Sequence, residues 1–199
     1  MRPEPNEPHP VDLELVLRMQ QGDLDALGGL YDRHRHLVYR TAVAITGDQE
    51  AAADLLQEVF LRLYRFGHRI DPHRPLEPWL YRMTANMAYT WANQRRRWYR
   101  LLQEMADRLA REGRPTPHHQ VEERERWGEV QSALEAISPE KRVVVVLYYL
   151  NGLSLLEIAE ALELPLGTVK SRLHYGRKSL KKSLGLEGDA LNTVGYEPT

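Results

Sequence analysis

An all-α fold, two small helical domains joined by a flexible linker, is what this 199-residue sequence predicts. Three observations carry that reading. Apolar residues recur at helical spacing in segments closed by Gly22, Gly47 and Gly67. The stretch from Glu112 to His119, with Gly113, Pro115 and Pro117, breaks the periodicity near the middle of the chain. The one strand-like run, Val143 to Leu150, has no second strand in the sequence to pair with.

Residues 1–10 are proline-rich and offer almost nothing apolar to bury, which predicts disorder. Val11 to Gln21 is amphipathic, with Gly22 as a left-handed stop. A second helix is expected from about Leu24 to Thr46 and a third from about Gln49 to Phe66. Ile70 to Pro78 holds three prolines and is expected to be a loop. Trp79 to Arg100 is helical by spacing, with Trp79, Met83 and Met87 on one side. These elements make a first domain of residues 11–100, followed by a linker at 101–120.

The second domain, 121–184, opens its first clear helix at Ser138-Pro139, a cap followed by proline at the first helical position. The run VVVVLYYL has the β-branched and aromatic composition of a buried strand. The helix start before it and the Asn151-Gly152 stop after it favour helix. Ser154 and Glu157 have the spacing of a capping box, and Leu155, Ile158, Ala159 and Leu162 follow at helical intervals. Pro165 is expected to end that helix at the residues before it. From Thr168 a last helix puts Val169, Leu173, Gly176, Leu180 and Leu184 on one stripe. Residues 185–199 are expected to be a loose tail.

With no cysteine, neither disulfides nor thiolate metal sites hold the chain together, which fits a reducing cytoplasm. Its longest apolar run is far short of the ~20 residues a bilayer requires, so no membrane insertion is expected, and no signal peptide is visible. A formal net charge of −1 hides a strong segregation. Asp48, Glu50, Asp54 and Glu58 fall in a stretch without cations, Arg95, Arg96, Arg97 and Arg100 form a basic cluster, and residues 170–182 carry six Lys or Arg and no acid. Two basic surfaces and an acidic one suggest two DNA contacts and a protein partner.

The last helix is packed on one side and cationic on the other, and a short turn precedes it. That arrangement presents a helix to a major groove. Its outer residues are Thr168, Lys170, Ser171, Arg172, His174, Tyr175, Arg177 and Lys178, with Lys181 and Lys182 beyond. A solvated basic surface helix is the plainer alternative. On the third helix, Leu55, Leu56, Val59, Phe60 and Leu63 form a core stripe, leaving Asp54, Gln57, Glu58 and Leu61 outside. Such a face suits a basic helical partner, although most such faces are simply solvated.

GTVKSR, preceded by ISPEKR and LNGLSLLEIAEAL, resembles region 4 of the extracytoplasmic-function sigma factors, the promoter-recognition subunits of bacterial RNA polymerase. DQEAAADLLQEVFLRLYR followed by PWLYRMTANMAYTWANQRRR resembles region 2 of the same family. The resemblance implies core RNA polymerase, promoter DNA and an anti-sigma factor as partners. It also implies that Asp54, Gln57, Glu58 and Leu61 grip the clamp helices of the β′ subunit, with the β subunit as a further contact. Asn86 matches an asparagine associated with a pocket for a flipped −10 base. His73 and Arg74, in the loop to Glu77, would help wall that pocket, and Trp91, Arg95, Arg96 and Arg97 would hold the melted strand. On sequence alone, a satisfied hydrogen-bonder on a helix is the simpler account of Asn86. Gly176 stands where alanine is usual in the family, Tyr175 where a base is frequent, and Leu156 where many relatives have an acid.

No catalytic constellation is visible, and no cofactor is expected. His34/His36 and His118/His119 lack convincing metal spacing, and there is no glycine-rich phosphate loop. Two other readings stay open at this point: a free-standing helix–turn–helix regulator, and an adaptor that sequesters a partner. The first needs neither the acidic third helix nor Asn86, and the intact basic helix counts against the second.

Overall fold

The computed structural model describes residues 8–110 and 127–185, with side chains described over 8–102 and 130–185. Those residues form eight α-helices, one 3-10 turn and no strand. The expected disorder of residues 1–7, the second half of the expected linker (111–120) and the tail beyond Gly185 lie outside the described residues.

Helix α1 (Pro10–Gln20) starts just inside the segment expected to be disordered, because His9 caps it: its Nδ1 accepts from Val11 N at 3.3 Å. Asp23 caps α2 (Leu24–Thr46) by accepting from the Asp25 and Ala26 amides, and Gly47 closes it at φ 74°. Asp48 caps α3 (Gln49–Phe66) through the Ala51 amide. Gly67 follows in ordinary right-handed geometry, φ −57°. A Cβ there would lie 2.5 Å from Met19 Cε, so any larger residue would have to push aside the flexible end of that side chain.

A 3-10 turn, Gly67–Arg69, leads into the proline loop. Gln20 Nε2 donates to Gly67 O and Ile70 O, both at 2.9 Å, and ties the loop to α1. Helix α4 (Glu77–Ala110) then begins earlier and ends later than expected. Pro78, assigned above to the loop, sits in its first turn, where a missing N–H costs nothing. Ten residues past Arg100, expected as linker, continue the helix.

Beyond α5 (Trp127–Glu135), α6 (Pro139–Tyr149) resolves the VVVVLYYL conflict as helix. Pro139 takes the first helical position, but the Ser138 side chain makes no cap bond. Its carbonyl instead accepts from the Lys141 and Arg142 amides. Ser154 and Glu157 form the expected capping box at the start of α7 (Leu155–Leu162). That helix is ended by Glu163 in left-handed geometry, φ 53°, rather than by the proline effect alone. Helix α8 (Leu166–Ser183) begins two residues before the expected Thr168.

Two cores result. Val16, Met19, Leu30, Val38, Val59, Phe60, Leu63, Leu76 and Leu80 close one within α1–α4 and the loop. The other joins the halves: Ala42, Ile45, Ala52, Leu55, Ala85 and Ala88 meet Val143–Leu147, Ile158, Val169 and Leu173. Val143–Leu147 of α6 are buried on every side because the helix packs on α8 and α7 one way and on α2 and α4 the other. Arg142, 6% exposed, locks this seam. Its guanidinium donates to Ile45 O at 2.8 Å, Glu135 O at 2.9 Å and Ile137 O at 3.1 Å, and burial lowers its pKa.

Candidate nucleic-acid interface

The helix–turn–helix is rigid for local reasons. The capping box fixes the entry to α7, Glu163 N–H closes its exit onto Ala159 O and Glu160 O, and Val169 and Leu173 anchor α8. This leaves Lys170, Ser171, His174, Tyr175 and Lys178 exposed along one side of α8, with Thr168, Arg172 and Arg177 half-buried beside them. Tyr175 is 54% exposed, its ring edge-on to His174 at 5.2 Å and 5.9 Å from Lys141 Nζ. Lys141, on α6, thus extends the basic face. Nothing in the periodicity of its own helix marks it, because the proximity is tertiary.

On α3 the apolar stripe is buried as expected, except that Leu56 is half-covered. Asp54, Gln57 and Leu61 are exposed and Glu58 is half-exposed, its Oε1 accepting from Arg62 Nε at 2.8 Å. Leu61 is 49% exposed, with Tyr64 and Phe66 exposed farther along the same helix. An acidic and amide surface around exposed apolar side chains fits a protein partner with a basic helix. Leu156 is 68% exposed on α7, an apolar edge at the motif's first helix.

The −10 candidates are less uniform. His73 and Arg74 are exposed on the proline loop, where Asp71 Oδ1 accepts from the His73 amide and Oδ2 pairs with Arg74. Trp91 is half-buried under Arg95, whose guanidinium lies 5.0 Å above its ring and 5.5 Å above Tyr99. Arg95 Nη1 also donates to Asp48 Oδ2 at 2.6 Å. Asp48, in a stretch of sequence without cations, thus has a cationic partner 47 residues away, and Arg95 is engaged by protein groups in the free chain. Arg96 pairs with Glu140 at 3.5 Å, while Arg97 is exposed. Trp79 packs on the first core together with Met83 and Met87, as its spacing predicts.

Asn86 is half-buried, and its Nδ2 donates to Ala161 O of α7 at 3.3 Å. One turn earlier, Arg82 pairs with the Glu163 carboxylate. Neither contact was foreseen, since 75 and 81 residues separate the partners.

Among the described residues, Asp12, His34 and Glu77 bring ligand-type atoms within 4.8 Å of one another. Asp12 already accepts from Arg33 Nε at 2.6 Å and lies 3.1 Å from His34 Nε2, so its buried carboxylate ties α1 to α2. No described helix is long and apolar enough to cross a membrane.

Residues 30–98 match the family Sigma-70 region 2, and residues 127–180 match Sigma-70, region 4. The chain is 30% identical over 177 residues to the ECF RNA polymerase sigma factor SigW of Bacillus subtilis, covering 85% of this chain and 94% of that protein. It is 33% identical over 156 residues to SigL of Mycobacterium tuberculosis, covering 78% and 86%. Among solved structures, CnrH in complex with the cytosolic domain of CnrY is similar at a TM-score of 0.60 and 25% identity, covering 89% of this chain and 99% of that one. RpoE of Bartonella quintana, in complex with the anti-sigma factor NepR, shares the fold at a TM-score of 0.58 and 20% identity, over 77% and 93%.

Proposed function

The chain belongs to the extracytoplasmic-function sigma factors, and from that premise we propose which of its surfaces do the work of an alternative sigma factor. It binds core RNA polymerase and directs initiation at a subset of promoters. The observation that carries the assignment is the pairing of both regions in one chain: an exposed α3 face for the polymerase and an exposed basic α8 for duplex DNA. A free-standing operator-binding regulator has no use for the first.

Residues 11–100 form the polymerase and −10 domain, and 121–184 the −35 domain. Asp54, Gln57, Glu58 and Leu61 dock on the β′ clamp helices, where the acidic and amide groups would find donors while Leu61 loses water. Lys170 and His174, early on α8, reach base edges of the −35 element, and Lys178 neutralises phosphate. Asn86 reads a base that has left the −10 stack. Its amide offers the donor and acceptor that a base edge needs, and opening costs a few kcal/mol of unstacking. The protein works in the cytoplasm, on the nucleoid when bound to polymerase. An anti-sigma factor is a further partner, by analogy with the complexes of CnrH and of the Bartonella RpoE.

Run-off transcription with purified core polymerase tests the assignment. Specific transcripts should require both core and this chain; equal transcription without the chain, or none with it, refutes the reading.

A further inference from the structure

Helix α4 presents Arg82 and Asn86 one turn apart, hence on one face. In the free chain both are occupied by the turn of the helix–turn–helix. Arg82 holds the Glu163 carboxylate, and Asn86 donates to Ala161 O at 3.3 Å. The two acceptors are an anionic carboxylate oxygen and a neutral backbone carbonyl, the kinds of acceptor that a phosphate and a base edge also offer. A guanidinium fork binds carboxylate and phosphate with the same geometry, and a side-chain amide donates to a peptide carbonyl as it does to a base carbonyl. We propose that Arg82 and Asn86 are one recognition pair for the melted −10 strand, Arg82 holding a phosphate, and that the Ala161–Glu163 turn fills this pair in the free chain by imitating the strand. The proposal rests on the reading of Asn86 given above.

Glu163 supports it independently. It is the sole non-glycine residue at positive φ among the described residues, at 53°, a conformation glycine adopts without strain and glutamate does not. Its backbone cap onto Ala159 O and Glu160 O would be made equally by glycine. What the glutamate adds is the carboxylate on Arg82. The pair is also displaceable, with the Arg82 and Glu163 side chains 45% and 74% exposed. Meanwhile Asp54, Gln57 and Leu61 on α3 and Lys170 and His174 on α8 stay exposed. Those surfaces are thus open in the closed chain, whereas the −10 strand must compete with the turn for Arg82 and Asn86.

The test is binding of the full-length free chain to a random-sequence single-stranded oligonucleotide, followed by anisotropy across a salt series. Glu163→Gln should tighten binding about threefold, the scale of one exposed charge pair. It should also steepen the dependence of log K on log salt by about 0.7, one phosphate on a single strand. Glu163→Gly, which suits the left-handed position, should do the same and removes misfolding as an explanation. Adding Arg82→Ala to Glu163→Gln should abolish both gains, and Arg82→Lys should keep the salt slope. Unchanged binding by both Glu163 variants, or a gain that survives Arg82→Ala, overturns the proposal. Failure of the Asn86 reading shows elsewhere: Asn86→Ala holoenzyme would melt the −10 region normally while the Arg82-dependent gain persisted.

Discussion

In the N-terminal half, the core around Leu30, Val38, Val59, Leu63 and Leu80 is made only of α1–α4 and the proline loop. In the C-terminal half, the buried valines of α6 share their core with Ala42, Ile45, Leu55 and Ala88 of the other half. The first half thus has one core of its own and lends part of its α2, α3 and α4 stripes to the other. The second depends on a neighbour, and Arg142 reaches across to Ile45 O to hold it. The difference teaches where each function is exposed. The α3 face proposed for the polymerase stays exposed while the halves are joined. The α4 face proposed for the −10 strand is partly the seam itself.

The sharpest way to break this comparison is Arg142→Met. It leaves three carbonyls without their charged donor and should cost about 3 kcal/mol. Urea unfolding should show α5–α8 melting before α1–α4. One unsplit transition at wild-type midpoint would mean that the seam contributes nothing.

Gly176→Ala comes next, at about 2 kcal/mol, because a Cβ there would sit 2.6 Å from Val145 Cγ2, and valine is stiff about χ1. Val145→Ala should therefore recover part of the loss in a thermal double-mutant cycle, and strict additivity would refute the steric account.

On the recognition helix, Lys170→Ala should cost roughly 1–3 kcal/mol at the preferred −35 sequence and much less on random duplex. Lys178→Ala should weaken both alike and lower the salt slope by about one. Equal losses for both variants on both duplexes would reduce the helix to an electrostatic contact. On α3, Asp54→Ala with Gln57→Ala should weaken core binding about tenfold, near 1.4 kcal/mol, with the fold intact because both side chains are exposed. Unchanged affinity in titration against core would remove the docking role.

The elements that local chemistry determines were legible in the sequence. Gly47 and the Ser154–Glu157 box ended and began helices where expected, since cap and residue lie within one turn. The α6 valines were legible only as a conflict, because two-sided burial mimics a strand until the second surface is known. What tertiary contact decides was not legible. Arg95 reads as a DNA arginine among its neighbours, yet Asp48, 47 residues away, takes its guanidinium. Lys141 joins the α8 surface from another helix, and Arg82 gave no signal apart from its Glu163 partner.

The smallest expected effect on stability belongs to Asn86→Ala, and that is what makes it informative. It removes one half-buried hydrogen bond of 3.3 Å, worth about 0.5 kcal/mol, so the seam should survive on its apolar contacts and Arg142. Core binding and duplex binding should also survive, because α3 and α8 do not use this side chain. The open complex should not, since the extruded base loses its amide partner while unstacking still costs a few kcal/mol. Permanganate reactivity of −10 thymines should fall on an intact duplex and recover in part on a pre-melted bubble, where unpairing is already done. Wild-type reactivity on the intact duplex would make Asn86 a seam residue only. Base reading would then pass to the loop from His73 to Glu77, where His73 and Arg74 are exposed.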